Sequence, residues 1–204
     1  MSMFEQENQA NSDIDFTFTH DESAWVPLPI EWPNEAWETP ADWAAEIAPI
    51  FAESSFYHEI YPVQDWAKRI LAHVVPPLYP GAVETNLLHY PTINDALVSL
   101  NVSIRFNGGE DIPAALLIGR SFADFIERVD QYQADIASLG RGWARGLFRT
   151  VPVGTEVTAS QYVLVYGCSY NDVYVEVFAA HPSREVLEMV TPDIETFLST
   201  FKIN

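Results

Sequence analysis

Chemistry in this chain could reside in five histidines, one cysteine, a cluster of arginines and a large excess of acids. His20-Asp21-Glu22 and His58-Glu59 offer metal-ligand types, and His73, His89 and His181 stand alone. None has the i, i+4 spacing of an HExxH helix or the paired CxxC spacing of a zinc site. Solvated side chains are the ordinary reading, and no metal or cofactor is expected. Cys168 lies in Gly167-Cys168-Ser169-Tyr170, read as a loop. A nucleophilic thiol needs a base and an electropositive setting, and Tyr170 and Asp172 supply neither, so a buried structural thiol is expected. Asn107-Gly108-Gly109-Glu110-Asp111 lacks the alternating oxygen ligands of an EF-hand and reads as a hairpin loop. No GxSxG elbow, P-loop or GxGxxG occurs. Among 29 acids, abundance identifies no acid–base pair. A metal-dependent or acid–base enzyme is therefore the least supported of the possible functions.

The basic cluster is RGWARGLFR. Arg141, Trp143, Arg145, Leu147 and Arg149 share odd parity, so a strand would present three guanidiniums and an indole on one face. Such a face could hold a small anion or a partner's carboxylates by bidentate pairing. The structural alternative, which we rank first, is that these arginines meet the chain's own N-terminal acids.

Those acids are the most uneven feature of the chain. The first 67 residues hold 14 Asp/Glu and no Lys or Arg, whereas the remainder carries 15 acids against 10 cations. Five of the six tryptophans, Trp25, Trp32, Trp37, Trp43 and Trp66, share the acidic stretch. A formal charge of −19 disfavours nucleic acid and anionic membrane surfaces, which need clustered cations, and favours a cationic protein partner. Trp43 and Trp66 fall on helical apolar faces and read as core. Trp25, Trp32 and Trp37 fall in proline-bearing irregular chain beside Glu31, Glu35 and Glu38, where indoles either plug the domain or anchor a partner.

At 204 residues and 48% hydrophobic, the chain suits one domain. Residues 1–12 read as a flexible polar tail. Residues 13–204 read as one α+β domain, with an acidic Trp/Pro-rich part over 13–80 and a sheet-plus-helix core over 81–204. The start, MSMFEQENQA, shows no signal peptide, and no stretch approaches the roughly 20 apolar residues of a spanning helix, so a cytoplasmic protein is expected, barring a specialised secretion route.

The elements that must position these residues follow from periodicity. Ile14–Phe18 alternates like a short strand. Four prolines hold Trp25–Pro40 in an extended or PPII path. Thr39-Pro40 caps a helix bearing Trp43, Ile47, Ile50 and Phe51, which Pro49 should kink or split near residue 48. A second helix is predicted over Val63–His73. Leu97–Phe106 alternates as a half-buried strand, and the 107–109 loop should lead to a strand over Ile112–Ile118. Ser121 and Asp124 then suggest a cap for a helix with the stripe Phe122, Phe125, Ile126, Val129, Tyr132, Ile136 and Leu139, closed by Gly140. Strands follow at Trp143–Thr150, Gln161–Tyr166 and Val173–Ala180, the last two joined through Gly167–Asp172. Thr191-Pro192 starts the final helix. Together these give a mostly antiparallel sheet of about five to six strands with helices packed on it.

The Pro/Trp-rich lead-in WVPLPIEWP, the hairpin-plus-helix centre and the closing DIETFLSTFKIN resemble the PsbP-like α/β/α sandwich, a fold shared with Ran-binding Mog proteins. The resemblance spans roughly residues 14–204. It implies a non-enzymatic binding or assembly protein. The chain departs from it in lacking a signal peptide, a lipidation cysteine near its start and a recognisable binding motif.

The leading expectation is thus a non-catalytic module whose acidic N-terminal third docks a basic protein, as immunity proteins, inhibitors and secretion chaperones do. A small anionic-ligand domain using Arg141, Trp143, Arg145 and Arg149 is the alternative. Negative charge serving only solubility stays open, as does the oligomeric state.

Overall fold

The structure is a computed structural model, and it describes residues 16–55, 61–74, 83–90, 95–106, 113–121, 126–139, 141–150, 161–170 and 173–203. The polar tail, His58, the 107–111 loop, Phe122, Asp124, Phe125 and Gly140 lie outside the described residues. The fold is α+β. Seven antiparallel strands form the main sheet in the order β2-β3-β4-β8-β7-β6-β5, two more than the lower expected count. They are β2 (Trp25–Leu28), β3 (Val83–His89), β4 (Ser99–Phe106), β5 (Ile126–Ser138), β6 (Arg141–Thr150), β7 (Tyr162–Tyr170) and β8 (Val173–His181). A two-stranded ribbon pairs β1 (Phe16–Thr17) with β9 (Lys202–Ile203).

Four helices are seen among the described residues: α1 (Pro40–Ser54), α2 (Val63–Leu71), α3 (Ala114–Ser121) and α4 (Arg184–Ser199). Helix α4 covers one face of the sheet through Val186, Leu187, Val190, Ile194 and Phe197, packed with Val102, Trp143, Tyr166 and Val177. Two smaller clusters occupy the other face. Helices α1 and α2 bring Trp43, Phe51, Trp66 and Ile70 onto Val26, Leu28, Leu88 and Leu97. Helix α3 sets Ile118 against Ala144, Phe148, Val163 and Val165. Its close approach depends on two strand glycines. A Cβ on Gly146 would lie 3.1 Å from Ile118, and one on Gly167 would lie 3.0 Å from it.

Local signals succeed at the first helix. Thr39 and Asp42 form a reciprocal capping box with Pro40 in the first turn. Pro49 does not split α1, which is assigned as one helix from 40 to 54. Its core face is Trp43, Ala44, Ala48, Phe51 and Ala52, while Ile50 is exposed. Helix α2 ends at Leu71, two residues before the expected stop.

Five expectations are corrected. The segment read as the strongest helix is instead strand β5. Its pairing with β6 is antiparallel, with register shifts at Arg128/Asp130 and Ala134/Ala137. The shifts let a sequence with helix-like spacing bury Ala134 and Ile136 while leaving Val129 and Tyr132 outside. Ser138 pairs with Arg141 across a tight turn in which Leu139 adopts φ 54°. Conversely, the strand expected at Ile112–Ile118 is helix α3. Both edges of β4 are already paired, with β3 and β8, so no hairpin partner can join it there. Pro113 instead stands at the helix start, where its missing N–H costs nothing, and its carbonyl accepts from Leu116 N at 2.8 Å.

The last helix begins at Ser183, which caps Val186 N, and runs through Thr191-Pro192. An interior proline costs about 3 kcal/mol; the buried stripe from Val186 to Leu198 offsets it. Thr191 Oγ1 donates to Leu187 O at 2.8 Å just ahead of the proline. Finally, Trp25–Leu28 is not irregular but forms the edge strand β2, and β4 is buried on both faces rather than half-buried, because helices cover both sides.

Candidate functional site

The acidic lead-in separates into a core anchor and an outer loop. Trp25 is 2% exposed and packs edge-on to His89 at 4.7 Å. It is a core residue, so the expected partner-binding role of Trp25 is withdrawn. Trp32 and Trp37 are half-buried against the α1–α2 cluster. Around them the chain folds into a self-bonded loop. Asn34 Oδ1 accepts from Ala36 N at 3.0 Å and Trp37 N at 2.9 Å, while Asn34 N donates to Trp37 O at 3.0 Å. The Trp37 indole N–H donates to Glu46 Oε2 at 2.8 Å, tying the loop to α1. The Trp32–Pro33 peptide is cis.

Glu31, Glu35 and Glu38 stand exposed on this loop. Among the described residues none of the three forms an ion pair. The first cations along the chain are used locally: Lys68 bonds Asp65 at 3.2 Å, and Arg69 donates to Asp95 O while its guanidinium lies 4.3 Å over the Trp66 ring. The loop therefore presents fixed negative charge beside partly covered indoles. Binding there would order few additional residues.

The arginine strand behaves otherwise than expected. Trp143 is fully buried, donating to Ser138 Oγ at 2.6 Å, and is core rather than ligand surface. Arg145 pairs in register with Tyr132 and Tyr166; it donates to Tyr166 Oη at 3.1 Å and to Tyr132 Oη. The Tyr166 hydroxyl in turn donates to Glu195 Oε1 at 2.9 Å, and burial pushes its pKa well above the ordinary tyrosine value. Arg145 thus closes a relay across the sheet to α4 instead of meeting N-terminal acids. Arg149 is exposed. The side chain of Arg141 lies outside the described residues. Trp143 and Arg145 are thus engaged within the fold, and Arg149 stands apart from them on the surface.

Two polar arrangements escaped the sequence reading. On the sheet face shared by α1, α2 and α3, Glu84, Ser103 and Glu176 stand in one cross-strand row. Glu176 is 0% exposed; it pairs with Arg105 Nη2 at 3.3 Å and accepts from Tyr174 Oη at 3.1 Å. The Ser103 hydroxyl is buried without a hydrogen-bond partner. A lone Glu in the apolar run VYVEVFAA was the available signal. On the opposite side, His89 places Nδ1 2.6 Å from Tyr90 O and Nε2 2.9 Å from Asp193 Oδ2. Both partners are oxygens, and the ring bridges them. It links β3 to α4.

No group of three or more His, Cys, Asp or Glu able to hold a metal occurs among the described residues. Cys168 is fully buried within β7 rather than in a loop. No helix among the described residues is long and apolar enough to cross a membrane.

No family model and no curated protein matches the chain. Among solved structures, it is similar to PA94 from Pseudomonas aeruginosa, described as a protein of unknown function and a candidate regulator. The identity is 10% and the TM-score 0.46, over 62% of this chain and 86% of that one. That likeness carries no functional argument.

Proposed function

We propose that the protein is a non-catalytic acidic module that docks a basic protein partner, in the manner of an immunity protein, inhibitor or secretion chaperone. The observation that carries this reading is the loop from Glu31 to Glu38. Its three exposed carboxylates have no ion-pair partner among the described residues, and its backbone is already pinned by Asn34 and Trp37. Exposed like charges left uncompensated raise the local potential, which accelerates encounter with a cationic surface. Trp32 and Trp37 would supply the apolar contact at its centre. Trp25 takes no part.

A partner captured from the native host and then purified provides the test. Its affinity should fall at least about tenfold between about 50 mM and about 500 mM salt. Replacing Glu31, Glu35 and Glu38 together by lysine should remove most binding. Salt-independent affinity, or an unaffected triple variant, would overturn the reading.

A further inference from the structure

The two edges of the main sheet are finished differently. At one end, β2 is four residues long, contains Pro27, and has Val26 and Leu28 beneath α1 and α2. At the other end, β5 is 13 residues long and, among the described residues, pairs only with β6. Glu127, Arg128, Val129 and Asp130 are all exposed, so side chains on both faces of the strand reach solvent over these residues. Val129 is 41%, Tyr132 44% and the neighbouring Leu116 57% exposed. Grooves flank this strand along its length, one lined by residues 133–138 with Gly142 and the other by 128–133 with Ala115 and Leu116. The Gln131 side chain bridges the second groove, donating to Ala115 O at 2.6 Å.

The register sorts the side chains of β5. Glu127, Asp130 and Tyr132 pair with Arg149, Leu147 and Arg145, on the face covered by α4; Arg128, Gln131 and Gln133 pair with Phe148, Gly146 and Ala144, on the face covered by α3. Arg149 stands opposite Glu127, which leaves Arg128, Asp130 and Asp135 as the charges of this edge with no ion pair among the described residues. Arg128 is held by Gln131 Oε1 at 3.0 Å. Acidic side chains and register shifts are devices that discourage pairing with a second copy, and a chain of formal charge −19 reinforces that repulsion. For an extended cationic segment the balance is reversed, because Asp130 and Asp135 outnumber Arg128 and the chain as a whole is strongly negative.

We propose that the outer edge of β5 is a strand-addition site for a basic extended segment of the protein partner. The incoming strand hydrogen-bonds to the backbone of β5 on the edge that no described strand pairs. Its lysines or arginines lie on the α4 face beside Asp130, and its alternate apolar residues lie on the α3 face toward Leu116. For the charge of the occupant the inference rests on the basic-partner reading; the surface is separate from the Glu31–Glu38 loop.

The full-length protein is tested with a synthetic peptide of about ten alternating lysines and valines, and with the same peptide N-methylated at alternate backbone amides. Calorimetry gives affinity, and amide exchange by NMR locates the contact. The expected result is slowed exchange in β5 and at least about tenfold weaker binding of the methylated peptide, which keeps the charge but loses the hydrogen bonds. Asp130→Lys/Asp135→Lys should weaken binding comparably, and Asp130→Asn/Asp135→Asn by less; the milder pair guards against misfolding of the first. Equal binding of the methylated peptide, unchanged affinity in both β5 variants, or protection confined to the Glu31–Glu38 loop would each overturn the proposal. A Glu31→Lys/Glu35→Lys/Glu38→Lys variant that binds the peptide normally supports it. If that variant also binds the intact basic partner normally, the docking-loop reading falls while the β5 site stands.

Discussion

Glu176 and Glu35 are the same side chain put to opposite uses. Glu176 lies at the centre of the sheet, wholly buried, and meets Arg105 and a tyrosine hydroxyl. Glu35 stands on a pinned surface loop with Glu31 and Glu38, and no cation answers it among the described residues. A buried carboxylate has to be paired because desolvation of an unpaired charge is prohibitive. An exposed one carries no such requirement, so leaving three unpaired makes them available to another molecule. Stability should therefore be sensitive to the first region and binding to the second.

The sharpest way to break that contrast is Arg105→Ala, which takes the guanidinium away from the fully buried Glu176 carboxylate. Removing one partner of a buried pair costs about 3–5 kcal/mol, and denaturant unfolding would register it; a loss under about 1 kcal/mol would mean that the pair behaves as a surface one. Next comes the support of the acidic loop. Thr39→Ala removes the capping hydroxyl of α1, with about 1 kcal/mol of destabilisation expected in the same assay and little change at the sheet.

A smaller effect should come from His73, another ionisable group on the Glu176 side of the sheet, 3.4 Å from Ser99 Oγ. Burial lowers its pKa, with His181 and Arg69 adding to the shift. A lowered folded pKa favours the neutral ring, so its contribution is complete above the ordinary value of about 6.5 and is lost as pH falls below it. His73→Gln should flatten the decline in stability between pH about 7.5 and about 5; an identical slope would contradict this. The smallest change in stability belongs to Glu31→Lys/Glu35→Lys/Glu38→Lys. Surface substitutions of this kind usually stay within about 0.5 kcal/mol each, and a cooperative loss of fold would show that the loop acids are structural after all.

Legibility followed the range of the forces involved. The Thr39-Pro40 start could be read because a capping box lies within four residues, and strands β4, β6, β7 and β8 could be read because each is a short run rich in β-branched or aromatic residues. Residues 126–138 could not. Their apolar spacing suits a helix, but β6 offers a row of backbone groups, and bulges at Arg128/Asp130 and Ala134/Ala137 fit the sequence to it. The short run after Pro113 was equally ambiguous, and the full occupancy of β4 settled it as a helix. At the candidate site the exposed acids could be named from sequence, but Trp25 could not be separated from Trp32 and Trp37, nor Trp143 from the arginines around it. Residue type does not say which side of a strand faces a helix.

The amino-acid sequence alone determined the charge, its concentration in the first 67 residues, the absence of standard catalytic spacings and the α+β composition, because these depend on content and short-range order. Tertiary structure alone decided which charges are answered. Arg105 and Glu176 are 71 residues apart and meet only because β4 pairs with β8. Arg145 turns to Tyr132 and Tyr166 because three strands align, and Glu31, Glu35 and Glu38 keep their charge uncompensated because no element among the described residues brings a cation to them.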